Sequence, residues 1–303
     1  MRVGKADLAA AVSNAGALGT ITALTQPTPE LLASEIDRCF SLTDKPFAVN
    51  LTVGVVATEI NYDDYVDVIC NSGVKIVETA GRSPEPFMQR FNAHGIKVIH
   101  KCVAVRHALK AQRLGVAVAS IDGFECAGHP GEQDIPGLVL IPAAVDKLTI
   151  PVVASGGFAD GRGLAAALAL GAEGINMGTR FVATQEAQVH DDIKQAIVNM
   201  DETQTRLIFR SFKNTARVYA NGIADDVLRI EQAGGDFSQV HGLVNGAGQD
   251  RAWSTGDTEA GMITMGMCGG LINQVPSCEA LVDNIVTEAL AIIQDRLAVI
   301  AAR

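Results

Sequence analysis

The sequence predicts an α/β protein built on a TIM (β/α)8 barrel that lacks its first strand and carries a smaller helical domain. Three observations lead there. From residue 5 to about 180, short β-branched apolar runs alternate with helical stretches, the pattern of a parallel sheet covered by helices. Glycine is abundant, 30 residues against 10 prolines and only 5% aromatics, which suits many tight βα turns. The most informative glycines and polar residues recur at the carboxyl ends of the strands, as a barrel's single ligand face requires, and this favours a barrel over an open doubly wound sheet.

In chain order, a helix from Lys5 to Ala15 comes first, followed by a strand from Gly19 to Ala23 and a helix from Pro29 to Leu42. The strand Phe47 to Leu51 leads to the helix Tyr62 to Ser72, and Lys75 to Thr79 leads to Pro84 to His94. Lys97 to Lys101 precedes the helix Val105 to Leu114, and Ala117 to Asp122 precedes Gly137 to Leu148. The strand Pro151 to Ser155, the helix Gly161 to Leu170 and the strand Gly174 to Met177 complete the alternation. Gly16, Gly73, Gly95, Gly115 and Gly171 each follow a helical stretch, where a glycine in the left-handed conformation ends a helix. The count gives seven strands, with a helix where an eight-fold barrel would start. A gap beside Gly19 to Ala23 is therefore expected unless Met1 to Gly4 partly fills it, and the chain reads as a truncated version of a longer protein. Beyond residue 187 the pattern becomes helix after helix, a smaller helical domain over 188–256 beside a barrel over 1–187. The segment 257–303 ends in a long helix, Cys278 to Ala302, expected to pack back on the barrel.

The 303 residues are 48% apolar and 19% charged, the composition of a globular enzyme able to bury a core without disulfides or structural metal. Lys plus Arg number 24 against 34 for Asp plus Glu, a net charge of -10. An acidic chain argues against nucleic acid or an anionic membrane as partner. No apolar run approaches a membrane span, and Asp7, Ser13 and Asn14 interrupt any signal-peptide core. A cytoplasmic location is the expectation. The six cysteines are scattered without metal-binding spacing, so no metal site is expected.

The strongest chemical signal is a pair of glycine-rich strand ends, Pro151-Val-Val-Ala-Ser-Gly-Gly157 and Gly174-Ile-Asn-Met-Gly-Thr-Arg180. Exposed backbone N–H groups at such turns bind a phosphate dianion, and the last two strand ends of a barrel are the usual place. One such turn alone could be only a tight turn. Two in succession favour phosphate, and the absence of a G-x-G-x-x-G fingerprint favours a mononucleotide. His129 lies between Gly128 and Pro130 on the loop after the strand ending at Asp122, placed to reach a ligand and to titrate in the working range. Cys126 on the same loop reads as an inert thiol. Lys101 ends its strand at the ligand mouth, where it either stabilises an anionic cofactor or pairs with a barrel carboxylate such as Glu78 or Asp122. Asn50 and Thr52 bracket another strand end, while His100 and His107 read as structural or solvated.

At these motifs the sequence resembles the FMN-dependent nitronate monooxygenases, formerly 2-nitropropane dioxygenases. The matching stretches include Ala11 to Gly19, Val49 to Thr52, His100-Lys101, Gly123 to Gly131, Ala154 to Gly157, Asn176 to Thr179, Asn214 to Arg217 and Gly256 to Thr258. The wording is most similar to the NADH:quinone reductase subgroup at Ile99 to Cys102, Arg106 to Lys110 and Asp122 to Glu132. The loop Val53 to Asn61 departs from that subgroup by lacking prolines, and the family's first strand with its Gly/Met segment has no counterpart before Arg2. The resemblance implies a barrel holding one FMN. Its phosphate would sit at Gly156, Gly157, Gly178 and Thr179, with Ser155 also binding the cofactor, while Thr52, Lys101, Asp122, Ala127 and Gly128 would contact the flavin. His129 matches the family's active-site histidine. The implied reaction passes hydride from NADH to FMN and two electrons to a quinone. The alternatives are oxidation of alkyl nitronates by dioxygen and, in another class, non-catalytic flavin or phosphate binding.

Overall fold

The computed structural model describes residues 2–54 and 60–301, so most of the proline-free loop lies outside the described residues. Helix α1 (Ala6–Asn14) leads into strand β1 (Gly19–Thr22), followed by α2 (Pro29–Leu42), β2 (Phe47–Val53), α3 (Tyr62–Asn71), β3 (Ile76–Gly81) and α4 (Glu85–Ala93). Next come β4 (Lys97–Cys102), α5 (Val105–Arg113), β5 (Val118–Asp122), α6 (Gly137–Val145), β6 (Val152–Ser155), α7 (Gly161–Ala169) and β7 (Gly174–Asn176). The seven strands form one parallel sheet in sequential order, a curled barrel that is not closed by strand pairing. Among the described residues no ladder joins β7 to β1.

Local chemistry explains the boundaries. Gly16, Gly73, Gly95, Gly115 and Gly171 all adopt positive φ, between 67° and 91°, a region closed to most side chains. Thr28 caps α2 by accepting from Leu31 N, with Pro29 in the first turn, and Asp160 caps α7 by accepting from Arg162 N and Gly163 N. The principal core lies between sheet and helices, where Ile21, Leu32, Ile36, Val49, Ile69, Val77, Phe91, Ile121, Ile141 and Ala154 are buried together. The expected gap beside β1 is partly filled. Gly4 O accepts from Thr22 N at 2.8 Å, and Arg2 N donates to Thr25 Oγ1 at 2.7 Å.

After β7 the chain forms α8 (Thr179–Val182), α9 (Asp191–Val198), the antiparallel strands β8 (Thr205–Ile208) and β9 (Ala216–Tyr219), and helices α10 (Gly222–Gln232), α11 (Phe237–His241) and α12 (Gly246–Thr255). The expectation of helix after helix over this stretch is therefore corrected by a two-stranded hairpin. Ile208, Phe209, Ala216 and Val218 pack with Ala224, Val227 and Val240 as a core of their own. Helix α13 (Cys278–Ala291) returns to the barrel and lies against α7 and α1. It approaches so closely that Glu288 Oε2 accepts from Gly161 N at 2.8 Å, and a Cβ on Gly161 would stand 2.5 Å from Ile285 O.

Candidate active site

The carboxyl ends of β2 to β5 surround a cavity of about 560 Å³. Thr52, Lys101, Asp122, Ala127 and His129 line it, as do Lys110 and His107 of α5 and Lys213, Asn214 and Thr215 of the hairpin connection. Side chains alternate along β4, so Lys101 and His100 take different surroundings. Lys101 Nζ stands 3.3 Å from Asp122 Oδ1 and 3.5 Å from Ser155 Oγ. Burial works against its charge, but the Asp122 and Glu78 carboxylates outweigh it and raise the pKa, so the site holds a persistent cation. The pairing of Lys101 with a barrel carboxylate is found, with Asp122, and the side chain also lines the cavity.

Behind Lys101 runs a polar chain across the barrel interior. Glu78 Oε1 accepts from Asn50 Nδ2 at 2.7 Å, and Glu78 Oε2 accepts from Asn176 Nδ2 at 2.8 Å. Thr52 Oγ1 donates to Asn50 Oδ1 at 2.9 Å. One carboxylate therefore ties β3 to β2 beside it and to β7 on the far side of the barrel. Its role was not read from the sequence beyond pairing with Lys101, because Asn176 is 98 residues away.

His129 is solvent-exposed at the cavity mouth. The concave protein around it still disfavours the imidazolium, and this desolvation lowers its pKa, with Glu132 opposing. Its loop is held by the hairpin. Gly128 N donates to Arg217 O at 3.1 Å, and Arg217 N donates to Gly128 O at 2.6 Å. The Arg217 guanidinium lies 4.5 Å from the Phe124 ring centroid and donates from Nη2 to Phe124 O at 2.9 Å. Glu132 accepts from Thr215 N at 2.8 Å, and both Asp134 oxygens accept from Arg210 Nη2 at 2.9 Å. Cys126, buried in the same loop, has its thiol pushed up chiefly by burial, which makes it a poor nucleophile. His100 is buried against Thr79 Oγ1 at 2.8 Å and its pKa is pushed down to about 4 by burial. His107 is exposed, as the solvated reading expects, and like His100 it lines the cavity.

The glycine turns stand beside this cavity rather than in its wall. Gly156 and Gly157 follow β6 with φ of 86° and 88°. A Cβ on Gly156 would lie 2.8 Å from Cys126 Cβ, so the turn packs closely beneath the His129 loop. Among the described residues, the backbone N–H groups of Gly156, Gly157, Gly178 and Thr179 have no protein acceptor. Gly178 faces open space, with nothing within 4 Å of a built Cβ. Four free donors at two neighbouring strand ends fit a phosphate dianion. Buried Ser120 Oγ lacks a hydrogen-bond partner, and Asp122 Oδ1 has only the Lys101 ammonium beside it at 3.3 Å. The residues present therefore suit FMN: the β6 and β7 turns would hold its phosphate, and Thr52, Lys101, Asp122 and Ala127 of the cavity wall, with the neighbouring Gly128, would meet its ring.

Comparison with known proteins identifies the family. The family described as nitronate monooxygenase matches residues 1–59 and 52–288. The (3aS,4S,5R,7aS)-5-hydroxy-7a-methyl-1-oxo-octahydro-1H-indene-4-carboxyl-CoA dehydrogenase of Rhodococcus jostii is 31% identical, over 93% of this chain and 88% of its own. A probable nitronate monooxygenase of Bacillus subtilis is 33% identical over 67% of this chain and 69% of its own. Among solved structures, FabK from Thermotoga maritima superposes with a TM-score of 0.90 at 32% identity, covering 98% of this chain and 92% of its own. No helix of the described residues is long and apolar enough to cross a membrane. The chain belongs to the nitronate monooxygenase family of FMN-dependent oxidoreductases.

Proposed function

We propose that this enzyme is an NADH:quinone reductase. Bound FMN would supply the redox chemistry, taking up a hydride and releasing two electrons to the acceptor. The chain's own part is electrostatic and positional. Lys101, kept cationic by Asp122 and Glu78, would stabilise the negative charge that collects on a reduced ring. His129, neutral near pH 7 because its pKa is lowered, would orient the substrate and manage the proton of the forming quinol. The turns at Gly156, Gly157, Gly178 and Thr179 would fix the cofactor's depth.

The observation that carries this reading is the size and openness of the cavity. At about 560 Å³ it lies in the range of pockets that hold drug-sized ligands. The flavin ring would take up part of this volume beside Thr52, Lys101 and Asp122, and a nicotinamide or quinone ring would stack on its open face towards His129. The second reading, nitronate oxidation, is supported by relatives such as that of Bacillus subtilis, and a CoA thioester is the substrate class that the Rhodococcus jostii relative's name points to.

Stopped-flow mixing of the FMN-loaded enzyme separates the two. Fast flavin bleaching by NADH, reversed by benzoquinone with kcat/KM above that for nitronates, is the expected result. Bleaching by a nitronate with none by NADH would establish the second reading instead.

A further inference from the structure

The chain carries a net charge of -10, yet the mouth of its cavity is basic. Lys110 and His107 reach it from α5, and Lys213 reaches it from the turn between β8 and β9, about a hundred residues later in the chain. Lys110 has one carboxylate partner, Glu85 at 3.2 Å, and both side chains are more than half exposed, so the pair is screened and weak. Lys213 pairs with no carboxylate among the described residues. It holds a positive φ of 54° at the hairpin turn, uncommon for a side chain of this kind. The acidic residue nearest in sequence to His129 is already engaged, because the Glu132 carboxylate accepts from Thr215 N and Thr215 Oγ1. Two cations from separate elements therefore face the same opening, Lys213 without a carboxylate partner among the described residues and Lys110 with only the exposed Glu85, while Glu132, which also lines the cavity, is held by Thr215. Lys101, only 24% exposed at its side chain, stands deeper in the cavity, where the reacting end of a ligand would lie, with His129 at the mouth above it.

We infer that Lys110 and Lys213 form a docking site for the pyrophosphate of an adenosine-diphosphate-bearing cosubstrate, with His107 as a neighbouring donor. The site lies at the mouth, whereas the FMN phosphate donors lie at the β6 and β7 ends, so the two phosphate sites are distinct. A pyrophosphate is the group that two spaced cations select, since it places charge on both phosphoryl units. The inference rests on the NADH reading for the dinucleotide source. A CoA thioester carries the same adenosine diphosphate handle, and either would leave its reactive end free to enter the cavity.

Isothermal titration of the FMN-loaded protein with ADP-ribose and, separately, with CoA tests the site without requiring turnover. At least one should bind, with affinity falling as salt rises. In the Lys110→Gln/Lys213→Gln variant that affinity should drop by about 10-fold or more, while FMN affinity stays within twofold. Lys97→Gln, at the opposite end of β4, should change neither. Preference for ADP-ribose identifies a dinucleotide, and preference for CoA identifies a thioester. Binding of neither ligand, or equal binding in the double variant, would overturn the site. ADP-ribose carries no hydride, so its binding stands apart from the quinone reductase reading. Conversely, brisk NADH oxidation with an unchanged KM in the double variant, together with an unchanged CoA affinity, would retain that activity and remove this site.

Discussion

Histidines of one sequence acquire different uses from their surroundings, and His100 and His129 show how. His100, at the edge of the same cavity, is 5% exposed, hydrogen-bonded to Thr79 and depressed to about 4. His129 stands at the cavity mouth with a smaller depression. For His129, replacement by Asn is expected to lower turnover by about 100-fold while FMN affinity holds. The wild-type kcat/KM should fall on the acid side with a midpoint below pH 6.5, where the ring gains its proton, and the variant should lose that limb. Unchanged turnover in the flavin-loaded variant would leave His129 an ordinary loop residue. For His100 the consequence is stability. Its folded pKa lies below the unfolded value near 6.5, so the unfolded chain binds the extra proton first. The stabilisation from the neutral ring is complete above pH 6.5 and disappears as pH falls towards 4, a loss of about 3 kcal/mol. Urea midpoints measured across pH 4 to 7 should show this slope in the wild type and a flatter one in His100→Gln.

At the scale of elements, the hairpin is what turns a loop histidine into a positioned one. Arg217 joins β9 to Phe124 and Gly128 through side-chain and backbone bonds. Arg217→Met keeps much of the apolar stem but leaves the Phe124 carbonyl without its donors, a cost of about 1 to 3 kcal/mol. Turnover should fall together with thermal stability, while FMN affinity, set at the β6 and β7 turns, changes little. A variant with full turnover would show that the hairpin does not position His129. The hairpin is also where the sequence was least legible. Thr205–Ile208 and Ala216–Tyr219 are four residues each, too short for alternation to stand out, and their partners are the Gly123 to Asp134 loop some eighty residues earlier. The barrel strands were legible to within two residues or so because five of the seven, all but β2 and β6, are set off by a helix-ending glycine. The glycine turns, Lys101, Asp122 and His129 were visible for a related reason, since strand ends in a parallel barrel all face one side. Glu78 with Asn176, and Lys110 with Lys213, are pairings across the tertiary structure that no local pattern announces.

For the whole molecule, the open seam between β1 and β7 is the feature that must be reconciled with a stable fold. Unpaired strand edges expose backbone donors and acceptors, each costing about 1 to 3 kcal/mol if buried without partners. Three devices meet this at the seam. Residues 2–4 cover part of β1 through the Gly4 to Thr22 bond, and the Glu78 carboxylate holds Asn176 of β7 from inside the barrel. Outside it, α13 spans from α7, which packs on β7, to α1, which packs on β1, so one helix joins the two ends of the sheet. Leu281 and Ile285 are the buried face of that helix, each 5% exposed, whereas Val286 is 46% exposed. Ile285→Ala should therefore cost about 2 to 5 kcal/mol, against at most about 0.5 kcal/mol for Val286→Ala. The more telling measurement is hydrogen exchange in the folded protein. If α13 clasps the seam, Ile285→Ala should speed exchange in Gly19–Thr22 and Gly174–Asn176 well before Ile76–Gly81 and Lys97–Cys102, since loosening begins at the unpaired edges. Uniform acceleration across all seven strands would mean that α13 stabilises the barrel as a whole and that the seam is held by the interior carboxylate and the amino-terminal residues.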